Sequence, residues 1–273
     1  MLDNMIDLHV PIQPDLWNGD SKTQLQLIPF GNKRSLPYLY SEFRFENEDD
    51  GLIRRFPDLT PIITFAITPN QIVGHVYGST TELCKIAHQP DTLFFSCKPI
   101  HFSTISSDKI PFMDLVDHNV DFTEIIKDHE ILSRLMAANS FQERINVFNG
   151  YLKNQFQPAE KKLANFLLDK MIYSQGSIDF NEICELTGYT VRYCRKHFYD
   201  TYGILPKKCM RILRMQHTMR HMLFSKKELV DISMTCGYSD QAHFNNDFKY
   251  FTSETPMQFY KKMDKISTDV FKA

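Results

Sequence analysis

DFNEICELTGYTVRYCRKHFYDTYGILPKK, residues 179–208, and ELVDISMTCGYSDQAHFNNDFKYFTSETPMQFY, residues 228–260, spell one pattern twice. Ile183, Gly188 and Tyr189 recur 49 positions later as Ile232, Gly237 and Tyr238, and Phe198 and Pro206 recur 50 positions later as Phe248 and Pro256. A repeat of this length, with one residue inserted after the glycine, marks a supersecondary unit used twice. Each copy reads as a short helix, a glycine turn, a second helix and a proline start. In the first, Asp179 with Glu182 is expected to form a capping box, Phe180, Ile183 and Cys184 to face inward, and Gly188 to stop the helix. Thr190 then caps a helix whose buried stripe is Cys194 and Phe198. In the second, Ser225 with Glu228 is the expected capping box, Leu229, Ile232 and Cys236 face inward, Gly237 ends the helix, and Ser239 or Asp240 caps a helix with Phe244, Phe248 and Phe251 inside. Two helices joined by a tight glycine turn are the helix-turn-helix arrangement.

Plain helical hairpins packing a core would share that pattern, so the outward faces decide. Arg192, Arg195 and Lys196 lie outward on one second helix, and Gln241, Asn245 and Asn246 on the other. Arg and Lys can pair with guanine edges, and Asn and Gln with adenine edges. Pro206 suits a first helical position, and Ile212, Met215, Met219, Met222 and Leu223 continue a helix joining the units. A connecting helix of roughly 17 residues, at ~1.5 Å each, spans ~25 Å and with its turns can set the two faces about one DNA turn (~34 Å) apart.

Residues 158 to 263 resemble the DNA-binding domain of AraC/XylS transcription regulators. The second stretch carries the more specific likeness, through its G-Y, D-Q-x-H-F, F-K and T-P elements. The resemblance implies that Arg192, Arg195 and Lys196 approach bases or phosphates from the first unit, and Gln241, Ala242, Asn245 and Asn246 from the second. Two positions depart: the family usually carries Arg where this chain has Asn246 and Gly where it has Ser253. The first unit is therefore expected to supply more of the electrostatic affinity.

Charge agrees once it is divided. Residues 158–263 hold 16 Lys and Arg against 11 Asp and Glu, leaving 15 against 22 elsewhere. A chain of net charge −2 thus joins a basic module to an acidic one, as expected where one part meets a polyanion. With 273 residues, 42% hydrophobic and 23% charged, the chain can bury two cores and is too apolar for disorder.

Upstream of about 118 the pattern is of short strands: 24–30, 36–45, 61–67, 72–78 and 92–96, separated by breakers such as Gly31-Asn32 and Pro69-Asn70. From about 119 the period becomes helical, with Ile125, Ile126, Leu132, Leu135 and Met136, then Ile145, Phe148 and Leu152, broken near Asn139-Ser140. The run from FFSCKPIHF through FMDLVDHNVDFTEIIKDHEILSRLMAANSFQERINVF is similar to the β-rich sensor and following helices of one branch of the same family. The expected class is α+β: a small amino-terminal β-sandwich or cupin-like barrel with helices, then an all-α domain of seven helices with two helix-turn-helix units. The expected domains are 1–118, a sensor; 119–157, a helical linker or dimerisation segment; and 158–273, the DNA-binding domain. For 119–157 two roles stay open: a linker packed on the sensor, or a homodimer seam in which Ile125, Leu132, Leu135 and Phe148 are exposed in a monomer.

No apolar run suffices to span a membrane and the acidic start is unlike a signal peptide, so a soluble, cytoplasmic protein is expected. The six cysteines form no C-x-x-C pair and are expected to be reduced, most of them buried. His75, His101, His118, His129 and Glu82 have no diagnostic metal-ligand spacing, and no G-x-S-x-G or glycine-rich phosphate loop is present. No cofactor, metal or catalysis is expected. The aromatic set of 30–112 (Phe30, Tyr38, Tyr40, Phe43 and others) fits core packing or a pocket for a small-molecule effector. The expected function is a sequence-specific regulator of double-stranded DNA, an activator contacting RNA polymerase. The alternatives are a cupin-like enzyme fused to DNA-binding helices and an interaction protein on a degenerate helix-turn-helix scaffold.

Overall fold

In the computed structural model the described residues are 11–14, 24–28, 38–44, 51–99, 112–125, 130–155, 162–225 and 227–263. Phe30, Gly31-Asn32, Phe45, His101, Phe102, Ile126 and His129 lie outside them. The strands are β1 (Gln24–Ile28), β2 (Tyr38–Arg44), β3 (Leu52–Arg55), β4 (Ile62–Ile67), β5 (Ile72–Tyr77), β6 (Cys84–Ala87), β7 (Leu93–Pro99) and β8 (Asn119–Asp121). They form an antiparallel sheet in the order β1-β2-β7-β4-β5-β8 and a separate β3-β6 pair. All five expected strands occur. The helical period does not begin at 119, because Asn119–Asp121 first pairs with Tyr77–His75 as an edge strand.

Helices α1 (Phe122–Ile125), α2 (Glu130–Ala137) and α3 (Phe141–Gln155) follow and cover one face of the larger sheet. Alternation along the strands sends Tyr40, Ile63, Phe65, Phe95 and Cys97 to that face, against Phe122, Ile131, Leu135, Ile145 and Phe148. Phe65 meets Phe122 and Phe148 edge-on at 4.9 and 5.2 Å between ring centres. Leu135 and Phe148 are each 0% exposed, so they do not form a dimer seam laid bare in the single chain; the sheet already covers them. A fully buried Phe or Leu contributes about 1.5–3 kcal/mol, which an exposed seam would forgo. Much of the aromatic set is thus core. Glu42 of β2 and Arg144 of α3 pin the layers together: Nε and Nη2 donate to the carboxylate at 2.5 and 3.1 Å, and Nη1 donates to the Ala138 carbonyl at 2.5 Å. On the other face of the sheet, Phe43 and Phe94 stack at 5.1 Å beneath Ile53 of β3.

The carboxy-terminal half contains, among the described residues, the seven helices expected: α4 (Lys162–Tyr173), α5 (Phe180–Glu185), α6 (Val191–Tyr202), α7 (Pro206–Phe224), α8 (Leu229–Thr235), α9 (Gln241–Thr252) and α10 (Pro256–Met263). The long α7 is the axle. Its Cys209, Ile212, Met215, Met219 and Met222 are buried, and helices of both units pack around it.

The amino-terminal half also contributes to the helical core. Ile12, Phe56 and Leu59 join the helical cluster, and Phe56 meets Phe259 edge-on at 5.6 Å. Gln216 of α7 straps the amino-terminal segment down: its Oε1 accepts the Ile12 amide at 2.6 Å and its Nε2 donates to the Pro57 carbonyl at 2.7 Å. Lys208–Glu82 and Arg54–Glu254 pairs, at 3.5 and 3.6 Å, bridge the rim.

Candidate nucleic-acid interface

Each unit is set by caps and a left-handed glycine. Asp179 accepts from the Asn181 amide at 3.0 Å to start α5. This is a single cap in place of the expected box with Glu182, because the carboxylate turns back on its own first turn. Gly188, at φ +72°, reverses the chain, and Thr190 Oγ1 accepts the Tyr193 amide at 3.3 Å to start α6. In the second unit the expected Ser225–Glu228 box is also absent. Helix α7 runs on to Phe224, so Ser225 is its C-cap, with its hydroxyl donating to the His221 carbonyl at 2.7 Å, and Glu228 is the N-cap of α8 without a side-chain bond. Gly237 follows at φ +74°, and Asp240 caps α9 by accepting the His243 amide at 2.7 Å. That amide, and next the Ser239 hydroxyl, hold the Asp240 carboxyl below the usual carboxylate range.

The stripes predicted as buried are buried: Cys194 and Phe198 in α6, and Phe244, Phe248 and Phe251 in α9. The opposite faces are open. Arg192, Arg195 and Lys196 on α6 and Gln241, Ala242, Asn245 and Asn246 on α9 are all exposed. A groove of about 950 Å³ lies between the units, and Arg195 and Asn246 line it from opposite sides. Arg192, Lys196, Gln241, Ala242 and Asn245 are absent from its lining. Lys196 already holds Asp200, one turn on, at 2.5 Å. Such exposed i,i+4 pairs are worth only ~0.3–0.5 kcal/mol, so an anion can displace the aspartate.

The groove's floor was not legible in the sequence. Arg211 of α7 donates through Nε to Asp247 of α9 at 2.6 Å and lies 4.8 and 5.0 Å from the Tyr250 and Phe251 ring centres. Arg214 donates to the Gly176 carbonyl at 2.9 Å and stands 5.5 Å from the Tyr238 ring centre. Arg211 fixes the second unit to the axle and Arg214 fixes the turn that precedes the first, and with Lys207 they make the groove basic. A pair of tyrosines was also missed. Tyr189 and Tyr193, about half exposed with rings 4.9 Å apart, stand at the start of α6, whereas Tyr238, the repeat equivalent of Tyr189, is buried. Their i,i+4 spacing on a basic face was the available signal.

Residues 183–262 match the family described as "Helix-turn-helix domain". This part of the chain is an AraC-type helix-turn-helix domain. Over 88 residues the chain is 26% identical to an uncharacterized HTH-type transcriptional regulator of Staphylococcus aureus, a stretch that is 32% of this chain and 12% of that relative's length. It is also 24% identical over 195 residues to the thermoregulatory protein LcrF of Yersinia pestis, covering 71% of this chain and 68% of LcrF. Among solved structures, ToxT from Vibrio cholerae O395 is similar with a TM-score of 0.46 and 11% identity, across 89% of this chain and 98% of that one. The matched residues 183–262 contain α6, α7, α8 and α9 whole, so the match spans the open faces as well as the axle. No helix among the described residues is long and apolar enough to cross a membrane.

Proposed function

We propose that the protein is a sequence-specific DNA-binding transcription regulator in which α6 and α9 enter successive major grooves. One observation carries this reading: two capped helices, each locked to α7 from its buried side, turn exposed donor-rich faces outward on either side of one basic groove. Arg192 and Arg195 supply guanine or phosphate contacts from the first unit, with Lys196 exchanging Asp200 for a phosphate. Gln241, Asn245 and Asn246 read base edges from the second, and Ala242 offers an apolar contact to a thymine methyl.

The organisation proposed is 1–118 for signal reception, 119–157 for the helical layer beneath it, and 158–273 for DNA. A cavity of about 60 Å³ between the two sheets, lined by Phe43, Ile53, Phe94, Arg55 and Lys98, supports an effector site for a small group. The Gln216 strap supports passage of the signal, since any ligand that shifts the strap acts directly on α7.

Genomic fragments retained by the purified protein give the operator, and a fluorescence titration on it over salt gives the number of phosphates engaged. A steep linear fall of log K with log salt is expected. Arg195→Ala is expected to weaken the preferred site by ~1–3 kcal/mol and to relax its sequence preference. Absence of fragment enrichment, or affinity indifferent to salt, would remove the proposal.

A further inference from the structure

The AraC-type domain brings together a set of side chains that DNA contact does not use. His217 and His221 lie one turn apart on α7, half-buried, and the buried Cys236 closes on them from the C-cap of α8. The histidine Nε2 atoms are 3.2 Å apart, the rings stand at 79°, and one ligand atom from each of the three residues lies within 4.8 Å of the others. Among the described residues no other group of three metal-type ligands converges in this way.

We propose that His217, His221 and Cys236 form a site for a borderline-soft divalent cation of the zinc type. Bond lengths of ~2.0–2.1 Å to nitrogen and ~2.3 Å to sulfur, at tetrahedral angles, require ~3.3 Å between the nitrogens and ~3.6 Å from each nitrogen to sulfur. The observed nitrogen pair already has that span, and the thiol has a short approach to make. Donor chemistry agrees: two imidazoles and a thiolate select zinc, cobalt or copper over magnesium or calcium. Because the histidines are half-exposed, water can take the fourth position.

Binding exchanges the Cys236 thiol proton for the metal, the S–H pair going to the cation and the proton to solvent. Burial pushes the Cys236 thiol up to about 11, so the metal must displace its proton; Arg214 and Lys227 near Cys236, and Lys227 and Arg220 near His221, oppose a bare cation but favour the thiolate that accompanies it. The backbone prepares the sulfur, since the Cys236 amide donates to the Ile232 carbonyl at 2.9 Å immediately before Gly237 turns the chain toward α9. The ion would therefore staple the axle helix to the turn that aims the second unit. The H-x-x-x-H spacing of 217 and 221 is visible in the sequence, but the cysteine joins it only through the packing of α8 on α7.

A hydrogen bond between the two imidazoles explains the same nitrogen spacing without metal, and cobalt separates the two accounts. Titration of the reduced full-length protein with Co²⁺ is expected to give a thiolate-to-cobalt charge-transfer band and strong tetrahedral d–d bands that saturate at one equivalent and are bleached by Zn²⁺. Cys236→Ala is expected to abolish the charge-transfer band while Cys84→Ala, at an exposed cysteine, leaves it intact. His217→Gln, half-exposed and thus tolerant in folding, is expected to weaken cobalt binding about 100-fold or more, with unchanged circular dichroism. No charge-transfer band at equimolar cobalt, or a band surviving both Cys236→Ala and His217→Gln, overturns the site. None of these readouts involves DNA, so the outcome is independent of the regulatory reading.

Discussion

The two units end differently, and the difference can be tested by exchanging their C-caps. Gly203 closes α6 at φ +68° and Ser253 closes α9 at φ +61°, with amides donating to the Tyr199 and Lys249 carbonyls at 2.7 and 2.9 Å. A residue with a Cβ carries ~1–2 kcal/mol of strain in this left-handed region. Glycine avoids it but loses more chain entropy on folding, by ~0.5–1 kcal/mol. Ser253→Gly should therefore stabilise the protein by about 0.5–1 kcal/mol, raising Tm by ~1–4 °C for a chain of this size. At Gly203 the same backbone strain meets a second obstacle. An added Cβ would lie 2.9 Å from both the Met113 carbonyl oxygen and Val116 Cγ2, in the 3-10 turn Phe112–Leu115 and the residue after it. Gly203→Ala should thus destabilise by ~1.5–4 kcal/mol, combining the same net backbone cost of about 0.5–1 kcal/mol with overpacking of ~1–3 kcal/mol, and should loosen that turn from α6. Urea denaturation of both variants, with Ser253→Ala as the strain-matched control, measures the energies, and hydrogen exchange at 112–118 reports the turn. If Ser253→Gly is destabilising, or Gly203→Ala changes stability by less than 1 kcal/mol (about a fivefold change in the unfolding equilibrium), the reasoning fails.

Three further outcomes are expected. Asp247 is almost fully buried and Arg211 is a third exposed, so Asp247→Ala should lose about 2 kcal/mol in chemical denaturation, below the range for a fully buried pair because the orphaned guanidinium can reach water; a double change to Arg211→Met and Asp247→Leu should lose less than the single. Gln216→Ala leaves the Ile12 amide and the Pro57 carbonyl without the strap, at ~1–3 kcal/mol, and limited proteolysis should cut near residues 11–14 faster; an unchanged cleavage pattern would show that the strap does not hold the segment. Because the Asp240 carboxyl is held below its ordinary range when folded, its contribution is complete above the unfolded carboxylate pKa and is lost as pH falls through the lower folded value. Protection of the His243 amide, taken relative to its intrinsic exchange rate at each pH, should accordingly fall on acidification, and Asp240→Asn should remove that dependence.

Local physics accounts for most of the helical half. A buried stripe at 3.6-residue spacing, a glycine needing positive φ, and Thr190 and Asp240 before each second helix act within a few residues, so the chain announces them in one dimension. The outward faces follow automatically, because burying Cys194 and Phe198, or Phe244 and Phe248, leaves Arg195 and Asn246 pointing away. The second capping box failed on a competition that spacing does not reveal: Ser225 ended α7 instead of starting α8. Strands β3, β6 and β8 escaped notice because they are three or four residues long, and their stability comes from a partner strand instead of their own pattern. Leu135 and Phe148 could have been covered by a second copy or by the sheet, since an apolar stripe records that it must be buried and not by what. The Gln216 strap joins residues 204 positions apart and is settled only when the two halves meet, whereas the basic groove and the His217, His221 and Cys236 cluster are settled by how the helices pack around α7. The sequence specified each helix and the side it must hide; packing alone determined which of those helices would face one another.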